Sequence, residues 1–310
     1  MRLTEAYDRY NISTKEEAIE KLQELSYSMN EYLKIMQEKH EFGKVNLIGI
    51  GNSISAGWSK VDQDVMPFVN KFGKIYKDTV NDNMIETHSF TIMDKNSNQA
   101  IYEFLLQNPT LTEVYEVFEK DFRAFKKIFR FRLSPFRNKI DWEIAKTLYE
   151  KSELTFEDCY KKDDINISLF NGFTGGLLFE PQKILTKEGR EETFNIEIIY
   201  AKKIIDLLKE LNSYIIIGNF PEFSTKLGDK LNKLIDEFNE KIKEFTIEEK
   251  ITYLNYVTLQ GFQKYNGKTC IDNHPTIDEQ YTSLYRYINY LYKIYLPNIF
   301  EEKSKTRTRR

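Results

Sequence analysis

The stretch from Val45 to Gly57, with the letters VNLIGIGNSISAG, constrains the fold of this chain more than any other. Its first part is short, mostly apolar and partly β-branched, which is typical of a parallel strand covered on both faces. Gly49, Gly51 and Gly57 then remove side chains where the chain must turn sharply. Such a turn leaves the Ser53 hydroxyl and backbone N–H groups clear at the carboxyl end of a strand, where open α/β sheets bind ligands. We therefore take this turn as the candidate reaction centre.

Four more segments have the composition of short buried strands, and helical segments separate them. Residues 13–40 place apolar side chains at helical spacing behind a Ser-Thr cap, which predicts one helix before the first strand. Strand and helix patterns then alternate, as they do in α/β proteins with a parallel sheet. The further predicted strands are 86–93, 164–170, 214–218 and 251–257, and the further predicted helices are 67–76, 99–106, 196–211, 227–238 and 277–295.

The long connection of residues 107–160 holds far more chain than a crossover between two strands needs. Its apolar residues, many of them aromatic, keep near-helical spacing, and basic residues stand between them. We predict a helical, lid-like insertion within a single domain of residues 1–300. Its charges are either solvated or grip an anionic or carbohydrate substrate. The polar, basic residues 301–310 are expected to be a disordered tail.

Composition excludes several classes of protein. The chain has 310 residues, 41% of them hydrophobic, and a formal net charge of −3. This composition favours a folded protein. Its small net charge creates no electrostatic field that would attract nucleic acid, so no nucleic-acid partner is expected. No signal peptide or membrane span is recognised, and a cytoplasmic location is expected. Cys159 and Cys270 are isolated, and Gly267-Lys-Thr269 lacks the earlier glycine of a P-loop, so neither a metal nor a cofactor is expected. The oligomeric state is left open.

Two motifs near opposite ends of the chain resemble one enzyme family. Gly51-Asn-Ser-Ile-Ser55 is not the nucleophile elbow of the α/β-hydrolases, because Ser55 replaces the second glycine. It resembles the first block of the SGNH (GDSL) hydrolases, G-D-S-[L/I]-S-x-G, with Asn52 in place of aspartate. Asp272-Asn-His-Pro275 resembles the last block, D-x-x-H-P, with the acid two residues before His274. Over residues 44–290 the resemblance implies a flavodoxin-like three-layer α/β/α sandwich whose five-stranded parallel sheet has the order 2-1-3-4-5.

The two middle blocks of the family supply oxyanion donors, and here they depart from its pattern. The second block normally provides a glycine N–H, but no glycine follows the second strand, so a backbone N–H of Asn96, Ser97 or Asn98 would replace it. Asn171 follows the third strand and fits the family's asparagine, although its neighbours depart from G-x-N-D. An ordinary Asn-Gly turn is the alternative for Asn171. Asn219, after the fourth strand, is a rival that the strand count disfavours.

The resemblance implies acyl transfer through a covalent serine ester. Ser53 would be the nucleophile, His274 the general base, and Asp272 the acid that orients the imidazole. A Ser–His dyad is the alternative if Asp272 points away. The expected substrate is a small-molecule or carbohydrate ester. Two other classes stay open: an O-acyltransferase that uses the same residues, and a degenerate SGNH domain that binds a carbohydrate or a partner without catalysis.

Overall fold

The structure of the chain is a computed structural model that describes most of the predicted domain. The described residues are 12–52, 55, 57, 66–91, 97–117, 152–173, 186–223, 229–259, 262–265, 268–271 and 275–307.

Nine strands are seen in this part of the chain. They are β1 (Val45–Gly51), β2 (Ile85–Thr91), β3 (Ile165–Asn171), β4 (Ser213–Gly218), β5 (Glu222–Phe223), β6 (Thr252–Leu254), β7 (Thr258–Leu259), β8 (Phe262–Tyr265) and β9 (Lys268–Ile271). Five of them form one sheet in the order β2-β1-β3-β4-β6, and every neighbouring pair is parallel. Since β6 is the fifth strand of this sheet, the predicted order 2-1-3-4-5 is confirmed. β8 and β9 form an antiparallel pair, unlike the strand-to-helix turn of a P-loop.

Helices cover both faces of this sheet. They are α1 (Lys15–His40), α2 (Phe68–Thr79), α3 (Asn98–Leu105), α4 (Lys187–Glu210), α5 (Asp229–Glu249), α6 (Ile277–Tyr290) and α7 (Leu296–Arg307), with a π-helical turn (Leu291–Tyr295) joining the last two. A capping box fixes the start of α1, where the Thr14 hydroxyl accepts from the Glu17 N–H and the Glu17 carboxylate accepts from the Thr14 N–H. In the described part of the chain, no helix is long and apolar enough to cross a membrane.

Alternate side chains of the sheet pack into two separate hydrophobic cores, one on each face. In β1, Val45 and Leu47 point to a core shared with α1, α2, α6 and α7, whereas Ile48 and Ile50 point to a core shared with α3, α4 and α5. This follows from the period of two in a strand, and it requires apolar residues at successive positions because both faces are covered. The predicted three-layer α/β/α sandwich is therefore confirmed.

Two predicted boundaries differ from the structure. Helix α4 begins at Lys187, nine residues before the predicted start, because the Thr186 hydroxyl accepts from the Gly189 N–H at 3.1 Å and caps a polar first turn. Strand β6 is only three residues long, although the apolar pattern predicted a strand to residue 257. The N–H groups of Tyr256 and Val257 donate instead to the side chain of Asn219, which draws the backbone out of the sheet.

The prediction of a disordered tail is wrong for residues 301–307, which belong to helix α7. Helix α7 continues directly from the π-helical turn, so Pro297 lies within a continuous helical run and removes one backbone hydrogen bond from it. Ile299 and Phe300 are buried against the α1 side of the molecule, and Glu301 pairs with Lys305 at 2.7 Å one turn later. Burial at the start of α7 stabilises a helix that extends into the polar residues.

Only the two ends of the predicted insertion are described. An antiparallel bridge joins Thr110 to Thr155, and Leu111, Val114 and Phe156 are buried in the core on the α4 side. Both ends of the connection are therefore fixed to the body of the domain. Residues 118–151 lie outside the described residues, and the lid remains a prediction.

Replacing the anchor of helix α7 tests this correction. Phe300 is only 3% exposed, and its ring centroid lies 5.4 Å from that of Phe42 and 5.9 Å from that of Tyr32. We expect Phe300→Ala to lower the free energy of unfolding by about 3 kcal/mol, as removal of a buried ring does. Urea denaturation measures the change. The exposed neighbour provides the control, since Glu301→Ala should stay within about 0.5 kcal/mol; equal stability of both variants would contradict the packed helix.

Candidate active site

The carboxyl ends of three neighbouring strands lie level with one another. Gly51, the last residue of β1, pairs with Thr91 on β2 and with Asn171 on β3. Strand β4 ends beside them at Gly218, where a Cβ atom would lie only 3.3 Å from the Asn171 side-chain carbon Cγ. The predicted serine turn and the predicted oxyanion asparagine therefore begin at the same edge of the sheet.

The turn after β1 is packed too closely for side chains at two of its glycines. A Cβ atom on Gly51 would lie 2.4 Å from the backbone oxygen of Asn171 and 2.5 Å from Ser55 Oγ. Gly57 has φ of +73°, and a Cβ atom there would lie 2.0 Å from the backbone oxygen of Met66. The backbone of the turn therefore lies close against β3 and against the chain that leads into α2.

Four predicted site residues, Ser53, Asn96, Asp272 and His274, lie outside the described residues. The structure fixes residues close to three of them: Asn52 and Ser55 are buried on either side of position 53, Ser97 follows position 96, and Pro275 follows position 274. The positions of these flanking residues define the candidate site.

Helix α2 connects the serine turn to the segment that carries the predicted histidine. The first residue of α2, Phe68, donates its N–H to the Ser55 carbonyl at 2.9 Å. One turn later, Lys71 is 1% exposed and its Nζ donates to Gln280 Oε1. Gln280 Nε2 donates in turn to the Pro275 carbonyl at 3.2 Å. A buried ammonium group is stable only when it is hydrogen-bonded. Breaking this chain of contacts would leave the Lys71 charge unpaired and would therefore destabilise the folded protein.

Asn171 places its amide beside a buried phenol. Its Nδ2 lies 3.3 Å from the Tyr256 hydroxyl oxygen and donates to it. In the described part of the chain, Asn171 Oδ1 has no hydrogen-bond partner, although the side chain is 1% exposed. Burial raises the pKa of Tyr256 well above its usual value, so the phenol keeps its proton. One polar atom of the amide is thus unpaired among the described residues.

Asn219, the rival candidate, has no capacity left for an oxyanion. Its Oδ1 accepts from the N–H groups of Tyr256 and Val257 at 2.9 and 3.1 Å. Its Nδ2 donates to the carbonyls of Phe220 and Val257 at 3.0 and 2.9 Å. Both amide hydrogens and both lone pairs are used, which makes Asn219 a clamp between the ends of β4 and β6. The choice of Asn171 from the strand count agrees with this hydrogen bonding.

The backbone N–H of Asn98, which was one of the predicted oxyanion donors, is also occupied. Its backbone N–H donates to Glu197 Oε2 at 2.9 Å, and its Nδ2 donates to the Glu197 carbonyl at 3.0 Å. The Ser97 hydroxyl accepts from the Ala100 N–H at 3.3 Å and caps α3. Asn98 therefore anchors the loop to α4. The backbone N–H groups of Asn96 and Ser97 stay as the candidate oxyanion donors of this loop.

Glu197 is a buried carboxyl group close to the sheet edge. Burial raises its pKa to about 7, and the hydrogen bond from the Asn98 N–H opposes this shift. Gly172 makes room for the arrangement, since a Cβ atom there would lie 2.1 Å from Asn98 Oδ1. Glu197 joins the start of α3 to α4, and its carboxyl group has a pKa near neutral pH.

The two described histidines lie away from this edge. His40 ends α1, where its ring centroid is 5.2 Å from that of Phe300. His88 lies midway along the edge strand β2, where it pairs with Ile48, three residues and about 10 Å before the end of its strand. Burial lowers the pKa of His88 to about 4. Neither histidine can serve as the base for a nucleophile at the strand ends. The described residues contain no cluster of three or more His, Cys, Asp or Glu suited to a metal ion.

Sequence reasoning missed four residues that shape the site: Lys71, Glu197, Tyr256 and Gln280. Two of them carried a signal. Lys71 stands among the buried residues of α2, and Glu197 stands in the buried stripe of α4 between Phe194 and Ala201. A charge on the apolar face of a helix indicates a buried, hydrogen-bonded group. Tyr256 and Gln280 carried no such signal, because uncharged side chains with polar and apolar parts are common on buried faces.

No protein-family model matches this sequence. Over 98 residues, 30% of this chain, it is 30% identical to an uncharacterized 30.6 kDa protein of Geobacillus stearothermophilus, and the match spans 37% of that protein. Among solved structures, it is similar to a GDSL-like lipase from Bacteroides thetaiotaomicron, with 14% identity, 88% of this chain and 97% of that chain covered, and a TM-score of 0.32. It is also similar to an acetyl xylan esterase from Butyrivibrio proteoclasticus, with 14% identity, 80% and 62% covered, and a TM-score of 0.38. These TM-scores are low, so the fold of this chain is defined by the order of its own sheet. Its function is inferred from the residues of the candidate site.

The raised pKa of Glu197 predicts a specific dependence of stability on pH. The folded protein holds this proton up to about pH 7, whereas the carboxyl group has an ordinary value of 4.5, so stability is lost as pH rises between these values. Glu197→Gln keeps an acceptor for the Asn98 N–H and removes the titration. Relative to wild type, we expect the variant to gain about 2 to 3 kcal/mol more at pH 8.5 than at pH 5.

Chemical denaturation at the two pH values measures this difference. Glu192→Gln, at an exposed site on the same helix, is the control for loss of one carboxylate. The same stability change for Glu197→Gln at both pH values would contradict a buried carboxyl group with a raised pKa.

Proposed function

We propose that this chain is an SGNH-type serine hydrolase that cleaves an ester of a small molecule or a carbohydrate. The observation that carries the proposal is the convergence of three elements at one sheet edge. Gly51, at the start of the turn that holds Ser53, pairs with Asn171, and the same turn is linked through α2 and Gln280 to the segment that follows His274. An acyl-transfer site requires a nucleophile, a base and an oxyanion donor that converge on one carbonyl group, and these contacts of the flanking residues support that arrangement.

In the proposed mechanism, Ser53 Oγ attacks the ester carbonyl carbon while His274 takes the hydroxyl proton. The carbonyl oxygen becomes an oxyanion, which accepts hydrogen bonds from the Ser53 N–H, the Asn171 amide and an N–H of Asn96 or Ser97. Collapse of this intermediate breaks the bond to the leaving alcohol, which receives the proton from His274. Water then repeats the sequence on the acyl-enzyme and releases the acid. Asp272 orients the imidazole.

A pair of serine variants tests the nucleophile. We expect Ser53→Ala to lower kcat for p-nitrophenyl acetate by about 10³-fold or more, since binding and the oxyanion donors alone leave little catalysis. The matched control is Ser55→Ala, two residues on in the same turn, which should keep most of the activity and the same circular dichroism spectrum. Equal rates for Ser53→Ala and wild type would contradict the assignment.

The acid is tested separately from the base. If Asp272 reaches the imidazole, Asp272→Asn should lower kcat by about 10³-fold or more, because the imidazole loses the partner that fixes its tautomer. If the site is a Ser–His dyad, the loss should stay below about tenfold. Steady-state kinetics distinguish these results. His274→Ala should abolish turnover in both cases, and an active His274→Ala protein would rule out both versions.

A further inference from the structure

Tyr256 and Asn171 form a buried pair whose hydrogen bonding is incomplete as it stands. The Asn171 Nδ2 group donates to the phenol oxygen, which leaves Asn171 Oδ1 without a partner among the described residues. The phenol hydrogen of Tyr256 also has no acceptor among the described residues. Rotating the amide by 180° about its Cβ–Cγ bond exchanges the positions of oxygen and nitrogen. The phenol would then donate to Oδ1, and both amide hydrogens would face away from Tyr256.

We propose that Tyr256 is a positioning residue that holds the Asn171 amide in this second orientation, so that an Nδ2–H group is directed at the oxyanion. This inference rests on the proposed function and names a residue that acts through Asn171. The second orientation satisfies the buried carbonyl oxygen and the phenol hydrogen together, which the first does not. The N–H groups that remain are donors that a negative oxygen can use in the transition state.

The phenol is fixed tightly enough for this role. Its ring centroid lies 5.4 Å from that of Phe68 and 6.0 Å from that of Tyr287, and its backbone N–H donates to Asn219 Oδ1. Gly218 allows the approach, because a Cβ atom there would lie 2.7 Å from Cε1 of the Tyr256 ring. Burial keeps the phenol protonated, so that it acts as a donor. Contacts on several sides therefore set the position of its hydroxyl group.

A cycle of two variants tests the inference. We expect Tyr256→Phe to lower kcat about tenfold with KM nearly unchanged, because the ring stays and only the orientation of the amide is released. Asn171→Ala should lower kcat by about 10²-fold or more, as loss of an oxyanion donor does. In the Asn171→Ala background, Tyr256→Phe should have no further effect on kcat. A role confined to packing would instead lower stability and act equally in both backgrounds.

The control is Tyr287→Phe at the neighbouring ring. Tyr287 is as fully buried, and its hydroxyl has no hydrogen-bond partner in the described part of the chain, so kcat should not change. If Asn171→Ala fails to fold, Asn171→Asp takes its place, because it keeps the acceptor for the phenol and removes the N–H donors. An unchanged kcat for Tyr256→Phe, or an equal loss in both backgrounds, would overturn the inference and leave the hydrolase assignment standing. Wild-type protein without esterase activity would overturn the assignment, and the inference with it.

Discussion

The absence of a side chain at Gly51 is the constraint on which the candidate site depends. A single methyl group at this position would lie 2.4 Å from the backbone oxygen of Asn171 and 2.5 Å from Ser55 Oγ. Because Gly51 pairs with Asn171 in the parallel register, the end of β1 and the end of β3 can approach only if residue 51 is glycine. The turn that follows β1 and Asn171, the candidate oxyanion donor, are thereby brought to one place by the backbone of the central strands, before any side chain contributes.

Buried polar contacts then hold the loops around this edge. Asn219 uses its whole amide to clamp the chain after β6, Glu197 anchors the loop before α3, and Lys71 fixes the segment after the predicted histidine through Gln280. Burying such groups without partners costs several kcal/mol each, whereas satisfied networks specify one geometry. The arrangement is typical of a site whose loops must be rigid, since an oxyanion donor displaced by about 1 Å loses much of its effect.

Much of the fold could be predicted from the sequence, because its signals are local. Apolar periodicity located α1 and the strands, and the alternation of strands with helices predicted the parallel sheet. Two errors came from contacts between distant residues, since Asn219 ends β6 early and burial of Phe300 extends α7 into residues expected to be disordered. The third came from a local contact, because the Thr186 cap starts α4 early. At the site, the order of the motifs along the chain predicted that the candidate residues follow the carboxyl ends of the parallel strands. The hydrogen bonds of Tyr256 and Gln280 could not be predicted, because a hydrogen bond between buried side chains leaves no pattern in the sequence.

The central claim is that the turn after β1 carries an activated serine. The most direct measurement is mass spectrometry of the intact protein and its peptides after treatment with a fluorophosphonate, which reacts with serines that a neighbouring base has activated. We expect one adduct per chain, located on Ser53, absent from Ser53→Ala and from protein unfolded before treatment. An unmodified native protein, or an adduct on another residue, would contradict it.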